Sequence, residues 1–147
     1  MGKSSSSMQL TRVADYAVRA LIQLATLPAG KRATLPDLAS VTAVPETFLS
    51  KVLQSLCRAG MVASHRGQAG GFEILLKGRN AKISSVVAAV DSPIRLNVCL
   101  VSGRSCKRKK ECPAHLVWVR AQEAMLQVLD AQTIADLAAR AVFEQQS

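Results

Sequence analysis

The stretch that most constrains the fold of this chain is a glycine-rich connector, Gly67-Gln-Ala-Gly70-Gly71, set between two short runs, Met61 to Arg66 and Phe72 to Leu76. Backbone almost free of side-chain bulk between two strand-like runs predicts a β-hairpin. Three amphipathic segments precede it. From Gln9 to Leu27, residues Ala14, Ala17, Val18, Leu21, Ile22 and Ala25 recur at steps of three and four, which predicts a helix ended by Pro28 and Gly30. Thr34 followed by Asp37 predicts an N-cap pair opening a short helix, Leu35 to Val41. After a break at Thr42 to Val44, Pro45 and Glu46 suit the first turn of a third helix. Proline needs no donor there, and the acid faces the positive helix end. Leu49, Val52, Leu53 and Leu56 form its buried stripe, and Gly60 terminates it. Two short helices across a tight break, followed by a glycine-tipped hairpin, describe a winged helix-turn-helix within a mostly α chain.

Downstream, Ser84 is placed to cap a helix running through Val90, and a loop rich in charge and cysteine follows from about Ser92 to Pro113. Trp118, Ala121, Met125, Val128 and Leu129 make a further helical stripe, and Thr133 with Asp136 opens a last short helix. The expected division is a disordered leader or foreign remnant over 1–7 (Met8 reading as the natural start), a winged helix-turn-helix over 8–91, a cysteine-rich loop over 92–113, and a long helix with a C-terminal tail over 114–147. No internal repeat is present.

The chain has 19 Lys and Arg against 10 Asp and Glu, a net charge of +9, with 49% hydrophobic and 3% aromatic residues. The surplus lies in residues 1–82, at net +7, and in residues 98–112, at net +4; residues 113–147 carry net −2. The two basic blocks suit a polyanion. No apolar run approaches the roughly 20 residues that span a bilayer, and the start is polar, without an apolar signal segment. A cytoplasmic protein is expected, so the four cysteines point to metal or redox roles before crosslinks.

A helix fits the major groove, and residues of its first turns reach base edges. The outward face of the third helix offers Thr47, Ser50, Lys51 and Gln54, all hydrogen-bond donors. Arg66 stands just before the slim Gly67-Gln68 backbone, where a guanidinium gains from the negative potential of a minor groove. Taken singly, each is an ordinary solvated position. The agreement of pattern, charge location and wing points to double-stranded DNA. Glu46 is a counter-signal close to phosphates. Nothing in the sequence carries catalysis: there is no paired-carboxylate signature and no legible nucleophile–base pair.

Cys99, Cys106, Cys112 and His115 follow the pattern Cys-x6-Cys-x5-Cys-x2-His. Thiolates and imidazole suit soft metals and iron–sulfur clusters. Zinc knuckles bring two cysteines closer than this, so the wide spacing suits a larger object held at separated corners. Iron–sulfur cluster, structural zinc and unligated thiols all remain open on spacing alone. Arg104, Lys107, Arg108, Lys109 and Lys110 would offset a thiolate-ligated cluster's negative charge, or form a solvated surface. Cys57, beside Leu53 and Leu56, reads as a packed, inert thiol. His65 reads as a strand residue or phosphate neighbour, not a ligand.

The segments Met8 to Leu21, Val44 to Leu53, Ala59 to Val62 and above all His65-Arg-Gly-Gln-Ala-Gly-Gly-Phe72 resemble the Rrf2 family of bacterial transcription regulators, in particular its IscR- and NsrR-like members. The resemblance covers nearly all of Met8 to Leu137. It implies a homodimer on a palindromic operator, with the helix from about Leu116 to Ala131 pairing with its counterpart, so that Trp118 and Met125 become interface. It implies Thr47, Ser50 and Lys51 in the major groove and Arg66, with Gly67 and Gln68, at the minor groove. It also implies an iron–sulfur cluster, of two-iron or four-iron type, on Cys99, Cys106 and Cys112, and control of operator affinity by iron, redox state or nitric oxide. Some members complete the cluster with a histidine three residues after the third cysteine, which His115 matches. Others use an aspartate from the first helix of the other subunit, which Asp15 matches. His115, being local, is preferred. The first gap here is six residues where many members have five. A zinc-stabilised or metal-free winged-helix protein without cluster sensing is the alternative.

Overall fold

The computed structural model describes residues 10–96, 100 and 112–146. Seven helices and one hairpin follow in the order α1 (Arg12–Ala25), α2 (Leu35–Thr42), α3 (Glu46–Arg58), β1 (Val62–His65), β2 (Gly71–Ile74), α4 (Leu76–Arg79), α5 (Ile83–Val90), α6 (Pro113–Leu129) and α7 (Ile134–Gln146). The expected mostly helical architecture with a two-stranded wing is the one observed.

Helix α1 starts where Thr11 accepts a hydrogen bond from the Ala14 amide at 3.2 Å. It buries Ala14, Ala17, Ala20, Leu21, Leu24 and Ala25 along one face. Small alanines on this stripe let α2, α3 and α5 approach closely. Leu38 of α2, Leu49, Leu53 and Leu56 of α3, Val62 of β1, Val86 of α5 and Ile134 of α7 complete the core, each below 3% exposed. The expected capping pair of α2 is present, with the Asp37 amide donating to Thr34 Oγ1 at 3.3 Å.

The bend between α2 and α3 is built on Ala43, a non-glycine residue in the left-handed region at φ 56°, ψ 38°. The Val44 amide reaches back to the Ala39 carbonyl at 3.2 Å, closing a Schellman-type turn. Val44, 2% exposed, then plugs the angle between the helices. Pro45 stands at the N-cap of α3, with Glu46 in its first turn.

Three local expectations need correction. The second strand ends at Ile74, not Leu76: Leu75 closes the hairpin by donating to the Met61 carbonyl at 2.9 Å, and the chain turns into α4. Gly78 makes this possible, because a Cβ there would lie 2.4 Å from the Met61 carbonyl oxygen. Ser84 does not cap α5. It lies inside the first turn, and Asp130 from the end of α6 accepts from both its amide (3.1 Å) and its hydroxyl (2.7 Å). A carboxylate from another element thus takes the free donors of that turn. The last helix is not short: α7 has 13 residues, opened as expected by Thr133 and Asp136, which hydrogen-bond each other's amides. It packs back onto α1 and α4.

Helix α6 differs from the rest, for it has no buried residue. It is fastened to α5 by the Ser84–Asp130 bonds and to the segment after α5 by Gln122, which accepts from the Leu96 amide at 3.0 Å. No helix among the described residues is long and apolar enough to cross a membrane.

Candidate nucleic-acid interface and cysteine loop

Helix α3 presents Thr47, Lys51, Gln54 and Arg58 to solvent, opposite its buried stripe of Leu49, Val52, Leu53 and Leu56. Ser50 lies half-buried on one flank. Phe48 lies on the other, 55% exposed, its ring centroid 6.4 Å from that of Tyr16. Sequence reading of the outward face missed Phe48. The available signal was its position off the Leu49–Leu53–Leu56 stripe, which leaves an aromatic ring without a core place.

The wing is a four-residue antiparallel pairing, Val62 with Ile74 through His65 with Gly71. Its second strand is fastened, near the tip, to the segment before α2: Ala33 and Phe72 exchange amide–carbonyl bonds of 3.0 and 2.8 Å. That approach requires Gly71, whose φ is 140° and whose added Cβ would meet the Ala33 carbonyl oxygen at 2.6 Å. Arg32 reaches the wing from the same segment, donating to the Ala69 carbonyl at 3.0 Å. Across the strands His65 Nε2 pairs with Glu73 Oε2 at 3.0 Å, so His65 is a strand residue engaged within the wing. At the tip Gly67 has φ 99°, and the Gly70 amide closes a turn on the Gly67 carbonyl at 2.9 Å. Arg66, Gly67 and Gln68 are all exposed there.

Part of the basic surplus is spent inside the fold. Arg79 donates to the Ala25 and Leu27 carbonyls at 3.1 and 2.9 Å, satisfying the negative end of α1, and Lys77 donates to the Ala59 carbonyl at 2.7 Å, just beyond α3. Lys51 and Arg66 have no such internal role among the described contacts, and they carry the outward charge.

Of the proposed cluster ligands, Cys112 and His115 lie within the described residues; Cys99, Cys106 and the five basic loop residues lie outside them. Cys112 is the N-cap residue of α6, and the His115 amide donates to its carbonyl at 3.1 Å. The two side chains therefore start one turn apart on one helix face. His115 Nδ1 is buried and has no hydrogen-bond partner among the described residues. A buried imidazole nitrogen left bare costs about 1–3 kcal/mol, and a metal ligand role removes that cost. Asp15 is differently placed. It pairs with Arg19 at 2.6 Å; Arg19 lies 5.9 Å from the Tyr16 ring centroid and reaches the Thr42 carbonyl at 3.4 Å. Among the described residues no three of His, Cys, Asp and Glu converge as a metal-binding group. Cys57 is half-buried in the last turn of α3, and burial pushes its thiol up from its ordinary pKa, which keeps it protonated and inert.

A helix-turn-helix with an exposed polar face, braced to a glycine-tipped wing, defines a winged-helix DNA-binding protein. The family model described as Rrf2, iron-dependent transcriptional regulator, matches residues 10–140, and the chain belongs to that family. Rv1287 of Mycobacterium tuberculosis, classed with the HTH-type transcriptional regulators, is 33% identical over 137 residues, covering 93% of this chain and 85% of the relative. The HTH-type transcriptional regulator NsrR of Geobacillus kaustophilus is 32% identical over 131 residues, covering 88% of this chain and 89% of the relative. Among solved structures, CymR, the global cysteine regulator of B. subtilis, superposes with a TM-score of 0.70 at 23% identity, covering 90% of this chain and 97% of its own. IscR of T. potens gives 0.71 at 22% identity, covering 90% and 88%. The likeness to these structures is one of fold. The relatives are transcriptional regulators, not enzymes, and this chain is a DNA-binding transcriptional regulator.

Proposed function

We propose that this regulator works in the cytoplasm as a homodimer on a palindromic operator, its affinity set by an iron–sulfur cluster of two-iron or four-iron type. Thr47, Ser50 and Lys51 face the major groove, while Arg66, Gly67 and Gln68 enter the minor groove. Residues 8–91 form the DNA-binding unit, 92–113 the cluster loop, and α6 the dimer helix. Cys99, Cys106, Cys112 and His115 hold the cluster. The observation that carries the His115 assignment is its buried Nδ1, without a partner among the described residues and one turn from Cys112. His115 is favoured over Asp15 because the Asp15 carboxylate already has the Arg19 guanidinium as its partner.

When bound, the cluster would supply an inorganic centre sensitive to iron, oxidation or nitric oxide, held by three thiolates and the weaker His115 imidazole. The rest is mechanics of the chain. Helix α5 packs on α1 and α3, and α6 is tied to the first turn of α5 through Asp130. Cys112 and His115 sit at the opposite end of α6, so whatever fixes or frees them acts on a lever anchored to the domain that carries α3. In a dimer joined through α6, turning that lever changes the spacing of the two α3 helices, and with it operator affinity.

The test is anaerobic purification with visible spectra and iron, sulfide and zinc analysis, on wild type, His115→Ala and Asp15→Ala. A coloured protein whose colour is weakened by His115→Ala and kept by Asp15→Ala supports the assignment. A colourless protein holding stoichiometric zinc overturns the cluster, and loss of colour only in Asp15→Ala overturns the fourth ligand.

A further inference from the structure

Phe48 is the sole aromatic residue of α3 and leaves more than half of its surface in solvent. It stands in the first turn, next to Thr47 and three residues from Lys51. Its ring is not loose. One side leans on Tyr16 at a 57° tilt, Tyr16 is flanked by the Arg19 guanidinium, and Arg19 reaches the carbonyl of Thr42 at the inter-helix turn. The ring is thus braced from α1 and bare on its outer side. It contributes little to the core in that position, so its open face suits a ligand better than the fold.

In the major groove, thymine is the one base whose edge carries an apolar group, the C5-methyl; the other edges offer hydrogen-bond donors and acceptors that a phenyl ring cannot satisfy. That methyl lies toward the backbone of its own strand, where a side chain on the flank of a groove helix arrives, not one at the centre of its outward face. Lys51 presents only donors; Thr47 has one methyl of its own at the centre of the outward face, whereas Phe48 offers a whole apolar ring on the flank. We propose that Phe48 is a specificity residue that reads thymine, packing its exposed ring on the C5-methyl of one thymine in each half-site. The proposal rests on the reading of α3 as the groove helix, and adds to it a base identity at one position.

The probe is a 30-base-pair duplex selected by the wild-type protein from a randomised pool, remade with each thymine in turn replaced by deoxyuridine, which removes only the methyl. Burial of one methyl is worth about 0.8 kcal/mol, or about fourfold in affinity. The wild type should lose about fourfold at one thymine per half-site. Phe48→Ala should bind the thymine and uracil duplexes equally, while Phe48→Leu, which keeps an apolar contact, should retain most of the difference. Thermal melts of both variants confirm folding. Retention of the wild-type thymine-to-uracil ratio in Phe48→Ala, or no uracil-sensitive position in the wild type, overturns the proposal. Lys51→Ala separates the two levels. If it weakens binding while no uracil effect exists, only the role of Phe48 falls; if it binds as wild type and the pool yields no sequence, the groove-helix reading falls with it.

Discussion

Helices α1 and α6 are of similar length, 14 and 17 residues, yet α1 buries six residues and α6 buries none. Both are amphipathic. The difference lies in what each finds within its own chain. Against the buried face of α1 the neighbouring helices and the wing supply apolar side chains. Along α6, Leu116, Val117, Trp118 and Val128 remain between 41% and 77% exposed. Apolar side chains left exposed along a helix about 25 Å long are a mark of an interaction surface. The winged half finds its apolar partners within its own chain; α6 leaves its apolar side chains in solvent, and the proposed function assigns them to a second subunit.

This contrast can be broken most forcefully on α6. Val128→Asp places a charge in the stripe and should convert the dimer to monomers by sedimentation velocity. Losing the second anchor point should weaken operator binding by about 100-fold or more, since bivalency is worth about 10²–10⁴. A monomeric wild type, or a Val128→Asp protein that stays dimeric, removes α6 as the pairing element. The winged half should tolerate the change with its melting transition intact.

Next in size is the wing tip. Arg66→Ala should cost about 1–3 kcal/mol of operator affinity per subunit and flatten the dependence of binding on salt, while leaving stability unchanged. Equal affinities in a titration at two salt concentrations would count against the minor-groove assignment.

The third change stays inside the folded half. Gly71→Ala sets a Cβ 2.6 Å from the Ala33 carbonyl oxygen at a φ of 140°. It should destabilise the domain by about 2 kcal/mol in chemical denaturation, through strain and the loss of the Ala33–Phe72 pairing. A smaller gain is expected at the inter-helix turn. Ala43→Gly relieves a left-handed alanine, worth about 1–2 kcal/mol, against an entropic loss of about 0.4–1 kcal/mol, so stability should rise by about 0.5–1 kcal/mol.

The smallest effect concerns pH. The Thr133 amide, and after it the Thr133 hydroxyl, hold the Asp136 carboxyl below the usual carboxylate range. Its contribution is therefore present above the unfolded pKa and lost as pH falls through the lower folded value. Asp136→Asn should remove that part of the acid limb of α7 helicity, read by circular dichroism; an unchanged acid limb would deny the cap this role.

The winged half was legible because its signals are local. Thr34 with Asp37, Pro45 with Glu46, and the Gly67–Gly71 connector each specify a turn or cap within a few residues, and each stands where expected. Illegible were the contacts made across the fold. Ser84 reads as a cap only until Asp130, 46 residues away, arrives on the same turn. Arg79 counts as surface charge until the end of α1 is placed beside it. Phe48 is a middle case: its place off the leucine stripe is legible, but the Tyr16 ring against its inner side is not. The cysteine loop is a third case: its spacing is plain in the sequence, and Cys99 and Cys106 lie outside the described residues.

Coupling between the cysteine loop and the winged half is measured by equilibrium binding of one fluorescent operator duplex. The same anaerobic preparation is titrated as isolated and after iron removal by a chelator, at fixed salt. The expected result is a protein coloured by iron and sulfide whose duplex affinity shifts at least tenfold when the iron is withdrawn. A colourless protein, or affinities that coincide with and without iron, would contradict it.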